Sequence, residues 1–154
     1  MSALSSLASI PVMGCLGTLP FIVSSAQVMS FSDAQLTRGS RFAWHAVLGS
    51  HPVPEFIGPA TTQIAMKIRF QTELGAPPLV YSEWLYSLTL PGEEHILCLG
   101  SDYIGKVVIE TYTEERRVYG AYGLCTLADV SLTLKTATPA QTIASAISSV
   151  TGLL

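Results

Sequence analysis

Charged side chains are scarce in this sequence. Asp, Glu, Lys and Arg make up 12% of its 154 residues, against about 25% in a typical soluble domain. Apolar residues make up 49%, and the mean hydropathy is +0.44. A monomer covers much of its surface with charged and polar groups, and large exposed apolar patches mark interfaces. The composition therefore predicts a chain that buries apolar surface against partners.

Long apolar runs are also missing, which argues against a membrane as that partner. No stretch approaches the ~18–20 consecutive apolar residues that a spanning helix needs. The two charge-free ends, Met1 to Ser32 and Thr136 to Leu154, are interrupted by Ser, Thr, Gly and Pro. The N-terminus lacks a cationic segment, so we expect no secretion by a signal peptide.

The sequence has neither a basic patch nor a cysteine framework. Its net charge is −3 and its basic residues are scattered, so no surface for gripping nucleic acid is expected. The three cysteines, Cys15, Cys98 and Cys125, are far apart and include no C-x-x-C pair. This spacing predicts reduced, buried thiols in a cytosolic protein, and neither disulfides nor a zinc site.

Catalytic motifs are absent too. The sequence contains no H-E-x-x-H, Walker or G-x-S-x-G motif, and the glycines of Gly100–Gly105 have the wrong spacing for a dinucleotide loop. His95 and Cys98, three residues apart on a strand, should point to opposite faces. The pairs Glu93–Glu94 and Glu114–Glu115 fall at predicted turns, where carboxylates are solvated. We expect no catalytic, cofactor-binding or metal-binding residue, and hence no enzyme.

What is present is a clear alternation of strands around one helix. Thr61–Gln71 alternates apolar and polar residues, which is typical of a half-buried antiparallel strand. Prolines suited to a first helical turn, followed by apolar residues at helical spacing, predict a helix over Pro78–Leu90. Further strands are predicted at His95–Leu99, Lys106–Thr113 and Leu124–Lys135.

Three local signals predict connections. Arg38–Ser40 is a plausible turn for a hairpin within Ala26–Gly49. Two prolines make Ser50–Glu55 a loop. The charged run Glu114–Arg117 is interpreted as an exposed hairpin tip.

The C-terminus has the features of an uncharged helix. Thr138 is a suitable cap and Pro139 a suitable first residue. The apolar residues that follow fall on one stripe, at Ile143, Ala144, Ile147, Val150 and Leu154. A helix without charge is poorly suited to lie alone in water, so we expect it to dock on a neighbouring subunit or element.

Together these elements predict a single α+β, mainly β domain spanning 1–154, with about six or seven antiparallel strands in a sheet or sandwich and a helix packed on it. Residues 1–13 would form an arm or short helix, 14–135 the core, and 138–154 the C-terminal helix.

The same stretch of sequence resembles a known family in the spacing of its features, from about Gly14 to Lys135. These are an early basic and aromatic strand, a Gly-Pro before an alternating strand, a Gly-led helix, and a glycine turn followed by strands. They stand here at Arg38 and Arg41–Trp44, Gly58–Pro59 before Thr62–Met66, Gly75 before Trp84–Leu85, Leu97 and Gly100, Tyr103–Ile109, and Gly123 before Val130–Leu134. In this pattern the chain resembles the tail protein U (GpU) family of contractile-tailed phages.

The resemblance implies a tail-tube-like antiparallel β-sandwich or barrel with one flanking helix, and subunits that form hexameric rings. Such a ring would be continuous with the tail tube of a phage or a tail-like injection particle, and its subunits would be made in the host bacterial cytoplasm. The implied partners are the tube protein, the tape-measure protein and the baseplate hub proteins, with DNA passing through the lumen without specific binding. The family's place beside tape-measure and hub proteins favours a ring at the baseplate end that initiates the tube. The alternative is a terminator ring at the head end.

Two other classes remain open on the residues alone. A small-ligand-binding β-barrel would be a stable monomer or dimer with an enclosed apolar pocket, whereas a ring subunit would make head-to-tail contacts. An enzyme would need an active site that the sequence does not display.

Overall fold

The computed structural model describes residues 12–23 and 27–139 of the chain, and these form ten strands and one α-helix. The strands are β1 (Val12–Leu16), β2 (Leu19–Val23), β3 (Val28–Met29), β4 (Phe31–Thr37), β5 (Ser40–His45), β6 (Val53–Pro59), β7 (Gln63–Gln71), β8 (His95–Leu99), β9 (Asp102–Tyr119) and β10 (Cys125–Pro139). The helix, α1, spans Pro78–Thr89. Short 3-10 turns lie at Thr72–Leu74 and Ala121–Gly123.

Eight strands form one antiparallel sheet in the order β3-β2-β1-β8-β9-β10-β7-β4. The two end strands, β3 and β4, are consecutive in the chain and separated only by Ser30, so the sheet must curl until its ends approach each other. The rings of Phe21 in β2 and Phe31 in β4 meet edge to face with centroids 5.2 Å apart. The curled sheet therefore encloses its own core.

The alternation in β7 explains why this strand lies at the centre of the core. Ile64, Met66, Ile68 and Phe70 are all buried, and the residues between them are exposed or half-buried. The neighbouring strand β10 continues the pattern, since Ile68 lies opposite the buried Val130. Cross-strand apolar pairs of this kind hold the register, because a slip by one residue would turn every apolar side chain outward.

Helix α1 covers the inner face of the sheet at β7, β9 and β10. Its Leu85 is fully buried in the core, a burial worth roughly 1.5–3 kcal/mol. The ring of Tyr81 stacks on that of Phe70, with centroids 5.8 Å apart. At the far end, His95 Nε2 lies 2.8 Å from the carbonyl oxygen of Leu88, which ties the end of the helix to the start of β8.

Glycine is required at one close approach of two strands. Gly14 in β1 has φ 152°, and a Cβ at this position would collide with the backbone carbonyl of Cys98 in β8. The β1–β8 pairing in this conformation therefore accepts no side chain there.

The predicted fold class is confirmed: the chain is mainly β, with antiparallel sheets and a single α-helix in the described residues. Three elements lie where the alternation and the prolines placed them, at β7, α1 and β8. The number of strands was underestimated, since the short strands near the N-terminus and the proline-containing β6 give weak local signals.

The predicted hairpin within Ala26–Gly49 is wrong. Strands β4 and β5 flank the expected turn at Arg38–Ser40, but they do not pair with each other. Strand β4 pairs with β7 at the edge of the large sheet, and β5 pairs with β6 in a separate two-stranded sheet. The turn signal is local, whereas the pairing is decided by the apolar face of β7, which is distant in sequence.

Part of the predicted loop at Ser50–Glu55 belongs to a strand. β6 begins at Val53 and includes Pro54. This proline is tolerated because, among the described strands, β6 pairs with β5 alone, and prolines occur within sheets on such edge strands.

The charged run Glu114–Arg117 lies inside β9, not at a hairpin tip. Glu114 pairs with Arg116 at 2.9 Å and Glu115 with Arg117 at 3.1 Å. Residues two apart share a face of a strand, so each charge is neutralised without leaving the extended conformation. The turn follows later, where the Gly120 N–H donates to the Leu124 carbonyl at 2.8 Å.

The predicted terminal elements fall largely on residues that are not described. Of the N-terminal arm 1–13, residues 1–11 lie outside the described residues, and Val12 and Met13 belong to β1. Strand β10 runs to Pro139, so Thr138 and Pro139, the predicted start of the C-terminal helix, are extended. The remainder of that helix, 140–154, lies outside the described residues.

Candidate assembly surfaces

The two-stranded sheet β5–β6 exposes an aromatic face. Phe42 lies opposite Phe56, and Trp44 lies opposite Pro54, so these four side chains share one side of the hairpin. The rings of Phe42 and Phe56 meet edge to face with centroids 5.7 Å apart. Trp44 is nevertheless 66% exposed and Phe56 61% exposed. We call Phe42, Trp44, Pro54 and Phe56 the hairpin face.

The opposite side of the same hairpin is mixed in character. Ala43 lies opposite Glu55, and His45 opposite Val53. His45 Nε2 and Glu55 Oε2 are 2.6 Å apart, and both side chains are exposed. At the tip, the side chain of Leu48 is fully exposed. A two-stranded hairpin is at best marginally stable in water by itself. Its apolar face would therefore be stabilised by a partner that covers it.

A second apolar surface lies on the outward side of α1. The helix buries Pro78, Ser82 and Leu85, and the opposite side carries mostly large apolar side chains. These exposed residues are Leu79, Val80, Trp84 and Tyr86, together with Leu90, which directly follows the last helical residue. The outward side of an ordinary surface helix is polar, but here its single charged residue is Glu83. We call this surface the helix face.

A third exposed group lies where β9 turns into β10. Tyr122 is fully exposed and has φ 65°, a left-handed conformation that bulky residues rarely adopt. Val118, Tyr119 and Leu124 around it are also exposed. Backbone strain of this kind persists where the surrounding structure or a function requires it.

The outer face of the large sheet is different, because its charges are paired. Asp129 in β10 accepts from Arg69 Nε at 2.7 Å and pairs with Arg117 Nε at 2.7 Å. Its side chain is only 12% exposed, and its hydrogen bond from Arg69 holds the pKa of the Asp129 carboxyl below its usual value.

These side chains line a shallow cavity of about 220 Å³ on the outer face. Three acidic residues and three basic residues take part in its lining: Asp33, Glu115 and Asp129 against Lys67, Arg69 and Arg117. The charges cancel, so this face offers no excess of either sign to a ligand.

The residues examined for catalysis are not brought together. His95 contacts the end of α1, whereas Cys98 lies opposite Cys15 in the neighbouring strand β1. Burial raises the pKa of the Cys98 thiol, with a further contribution from Cys15, so Cys98 is a poor nucleophile. The pair Glu93–Glu94 is exposed in the segment between α1 and β8.

Glu114 contacts a tyrosine that the sequence did not single out. The Tyr112 hydroxyl donates to Glu114 Oε2 at 3.1 Å and lies 3.4 Å from the Ser82 carbonyl oxygen of α1. Burial raises the pKa of Tyr112 well above its ordinary value. This arrangement ties β9 to α1 and keeps the phenol protonated.

Within residues 12–23 and 27–139, no three His, Cys, Asp or Glu side chains cluster in a way that could hold a metal ion. In the same part of the chain, no helix combines the length and apolar character needed to cross a bilayer. The most prominent feature of the described residues is their exposed apolar surfaces. Composition predicted such surfaces, but only the fold locates them.

The sequence also matches a known family. The family model described as Phage P2 GpU matches residues 17–138, which is 122 of the 154 residues. No curated protein matches the chain at a significant level.

Proposed function

The chain belongs to the Phage P2 GpU family and is thus a structural protein of a phage tail, and from this we propose that it forms a hexameric ring continuous with the tail tube. We place the ring at the baseplate end, between the tube and the hub proteins, where it initiates the tube. The particle is a contractile tail or a tail-like injection device. Its lumen conducts the tape-measure protein and DNA.

The observation that carries the proposal is the pair of uncovered apolar surfaces on one small domain. The hairpin face and the helix face differ in shape and composition, so each copy has two unlike surfaces to cover. Contacts between unlike surfaces run head to tail, and they close into a ring when the rotation between copies allows it. A self-complementary dimer interface would need only one surface.

We propose that the outer face of the large sheet lines the lumen, where its balanced charge lets DNA pass without binding. Its arginines and lysine are paired with carboxylates at or below 4 Å, as in the Arg69–Asp129–Arg117 group. Unpaired cationic residues on a channel wall would hold phosphates. A wall of balanced charge neither traps nor strongly repels the nucleic acid.

The first experiment is electron microscopy of the purified full chain, together with native mass spectrometry. We expect six-fold rings with an open centre. A single monomeric species at micromolar to millimolar concentration would overturn the ring and favour the small-ligand-binding class, which the same sample would test by ligand-induced thermal stabilisation.

A second experiment tests the position of the ring. Antibody labelling of intact tails should place the protein at the baseplate end, and the purified ring should nucleate polymerisation of the tube protein. Label at the head end, with no nucleation of the tube, would identify the protein as a terminator instead.

A further inference from the structure

Two of the three cysteines meet on the outer face of the large sheet. Cys15 of β1 lies directly opposite Cys98 of β8 in the antiparallel register. The next pair along, Leu16 and Leu97, is buried in the core. Because successive side chains alternate between the two faces of a strand, both cysteines point away from the core. Both are half-buried free thiols.

Backbone hydrogen bonds on either side of the two cysteines fix this register. The Gly17 N–H donates to the Ile96 carbonyl oxygen at 2.8 Å, and the Gly100 N–H donates to the Met13 carbonyl oxygen at 2.7 Å. Both bonds join directly opposed residues two positions from the cysteines, so the cysteines occupy the same hydrogen-bonded type of pair. The Cα atoms of such a pair are about 5.5 Å apart, within the range of about 4.4–6.8 Å that a disulfide spans.

The two thiols also contact each other, unlike the third. Burial raises the pKa of Cys98, and a hydrogen bond with the Cys15 thiol raises it further. Cys125 Sγ instead donates to the Leu127 carbonyl oxygen at 3.3 Å, and in the sheet Cys125 lies opposite Tyr119. The chain therefore has one pair of thiols placed to react with each other and one thiol that is not.

We propose that Cys15 and Cys98 form a reversible disulfide between β1 and β8 by exchange with a small-molecule disulfide. The Cys15 thiolate attacks one sulfur of the donor, and the first donor thiol leaves. The Cys98 thiolate then attacks Cys15 Sγ in the mixed disulfide, which forms the Sγ–Sγ bond and releases the second donor thiol. The two cysteines are oxidised and the donor is reduced to two thiols, which take up the two protons that the cysteines lose.

The order of the two attacks follows from the surroundings of the pair. The raised pKa of Cys98 leaves little of its thiolate for the first, bimolecular attack. The second attack is intramolecular and joins side chains that are already in contact. Its high effective concentration compensates for the small fraction of thiolate.

The disulfide would strengthen a short pairing in the large sheet. The register of β1 and β8 comprises three residue pairs, and in the order of the sheet this pairing connects β1, β2 and β3 to the other strands. A bridge from Cys15 to Cys98 closes a loop of more than half of the chain, and stabilisation by a disulfide grows with loop length. Thiols stay reduced in the cytosol and oxidise outside the cell, so the bridge forms after the protein has left the cell that made it.

Oxidation of the full chain with oxidised glutathione, followed by alkylation of the remaining thiols, tests the pair. The bridged chain should lack two hydrogen atoms and take up one alkyl group in place of three. Trypsin cleaves after basic residues and leaves the cysteines in three separate peptides, Met1–Arg38, Phe70–Lys106 and Val118–Lys135. The first two peptides should be joined in the oxidised sample and separate after treatment with dithiothreitol.

Thermal unfolding of the same samples gives a second readout. The bridge should raise the unfolding temperature by about 5–10 °C, and dithiothreitol should abolish the rise. The matched control Cys125→Ser keeps the pair and should show the full rise, whereas Cys15→Ser should show none. Each comparison is between the oxidised and reduced forms of one variant, so any effect of the substitution itself on stability cancels.

Several results of the peptide mapping would overturn the disulfide. These are glutathione retained on Cys15 or Cys98 without a bridge, a bridge to Cys125, a bridge between two copies on a non-reducing gel, and three unlinked peptides. The unmodified chain alone gives this answer, whether or not the variants fold. The inference does not rest on the proposed ring, which the mass of the native particle tests separately.

Discussion

Strands β7 and β5 have similar amphipathic patterns but different surroundings. In β7 the apolar residues, including Ile68 and Phe70, are buried in the core. In β5 the apolar residues Phe42 and Trp44 face solvent. The pattern of a strand therefore identifies its apolar face but not the molecule that covers it. In β7 the cover comes from the same chain, and in β5 we propose that it comes from the next copy.

The contrast between β7 and the β5–β6 hairpin is tested most sharply by replacing one phenylalanine with alanine in each. Phe70→Ala empties a fully buried site and removes the stacking on Tyr81, so the free energy of unfolding should fall by about 3–5 kcal/mol. Phe56→Ala, on the hairpin face, should lower it by less than about 1 kcal/mol. Urea unfolding at concentrations where the chain is monomeric measures both.

The assembly of the same two variants should show the reverse order. Phe56→Ala is expected to prevent rings although the monomer stays folded, because it removes an aromatic side chain from the hairpin face, which we propose is covered in the ring. Equal losses of stability for Phe56→Ala and Phe70→Ala would mean that the hairpin is part of the monomer's core, and the contrast between the strands would disappear.

Removing one carboxylate from an ion pair of the large sheet should lower the free energy of unfolding by an intermediate amount. Asp129→Asn leaves Arg69 and Arg117 without their shared carboxylate, and solvent screening of the exposed arginines limits the loss to about 1 kcal/mol. Glu110→Gln breaks the half-exposed pair with Lys135 and serves as the control, with a loss below about 0.5 kcal/mol.

The pH dependence of Asp129 has a defined sign. Because its pKa is lower in the folded chain than in the unfolded one, the stabilisation is present above the unfolded value of about 3.9 and is lost as the pH falls through the folded pKa. The unmodified chain should therefore lose more stability than Asp129→Asn when urea unfolding is repeated below that range. An identical acid dependence of the two chains would show that the carboxyl is not stabilised by its arginines.

The smallest effect on stability is expected at the C-terminus. Deletion of residues 140–154 removes an uncharged segment beyond β10 and should leave the free energy of unfolding nearly unchanged. Assembly should nevertheless weaken, as expected for a segment that docks on a neighbour. Sedimentation velocity measures the change, and an unaltered oligomer would remove the C-terminus from the list of contacts.

The sequence was most informative where local pattern and tertiary burial agree. The alternation of Ile64 to Phe70 and the prolines before α1 specify their elements without help from distant residues. The pairing of β4 with β7 could not be read in this way, because it depends on which strand reaches the edge of β7. Strand β6 was obscured by Pro54, which an edge strand tolerates, and among the described strands β6 pairs with β5 alone.

The assembly surfaces show the same division. The scarcity of charged residues predicted that partners cover apolar surface area, but composition does not say where on the molecule that area lies. The location of the helix face follows from which side of α1 meets the sheet. The location of the hairpin face follows from the pairing of β5 with β6, whereas the sequence predicted that β5 pairs with β4.

The most direct test of the account is the mass of the native particle formed by the full chain. Six copies of the 16.4 kDa chain should give a species of about 98 kDa in native mass spectrometry, and Phe56→Ala should give the single-chain mass. A single-chain mass for the unmodified protein at high concentration would contradict the central claim that its exposed apolar surfaces are covered by further copies of itself.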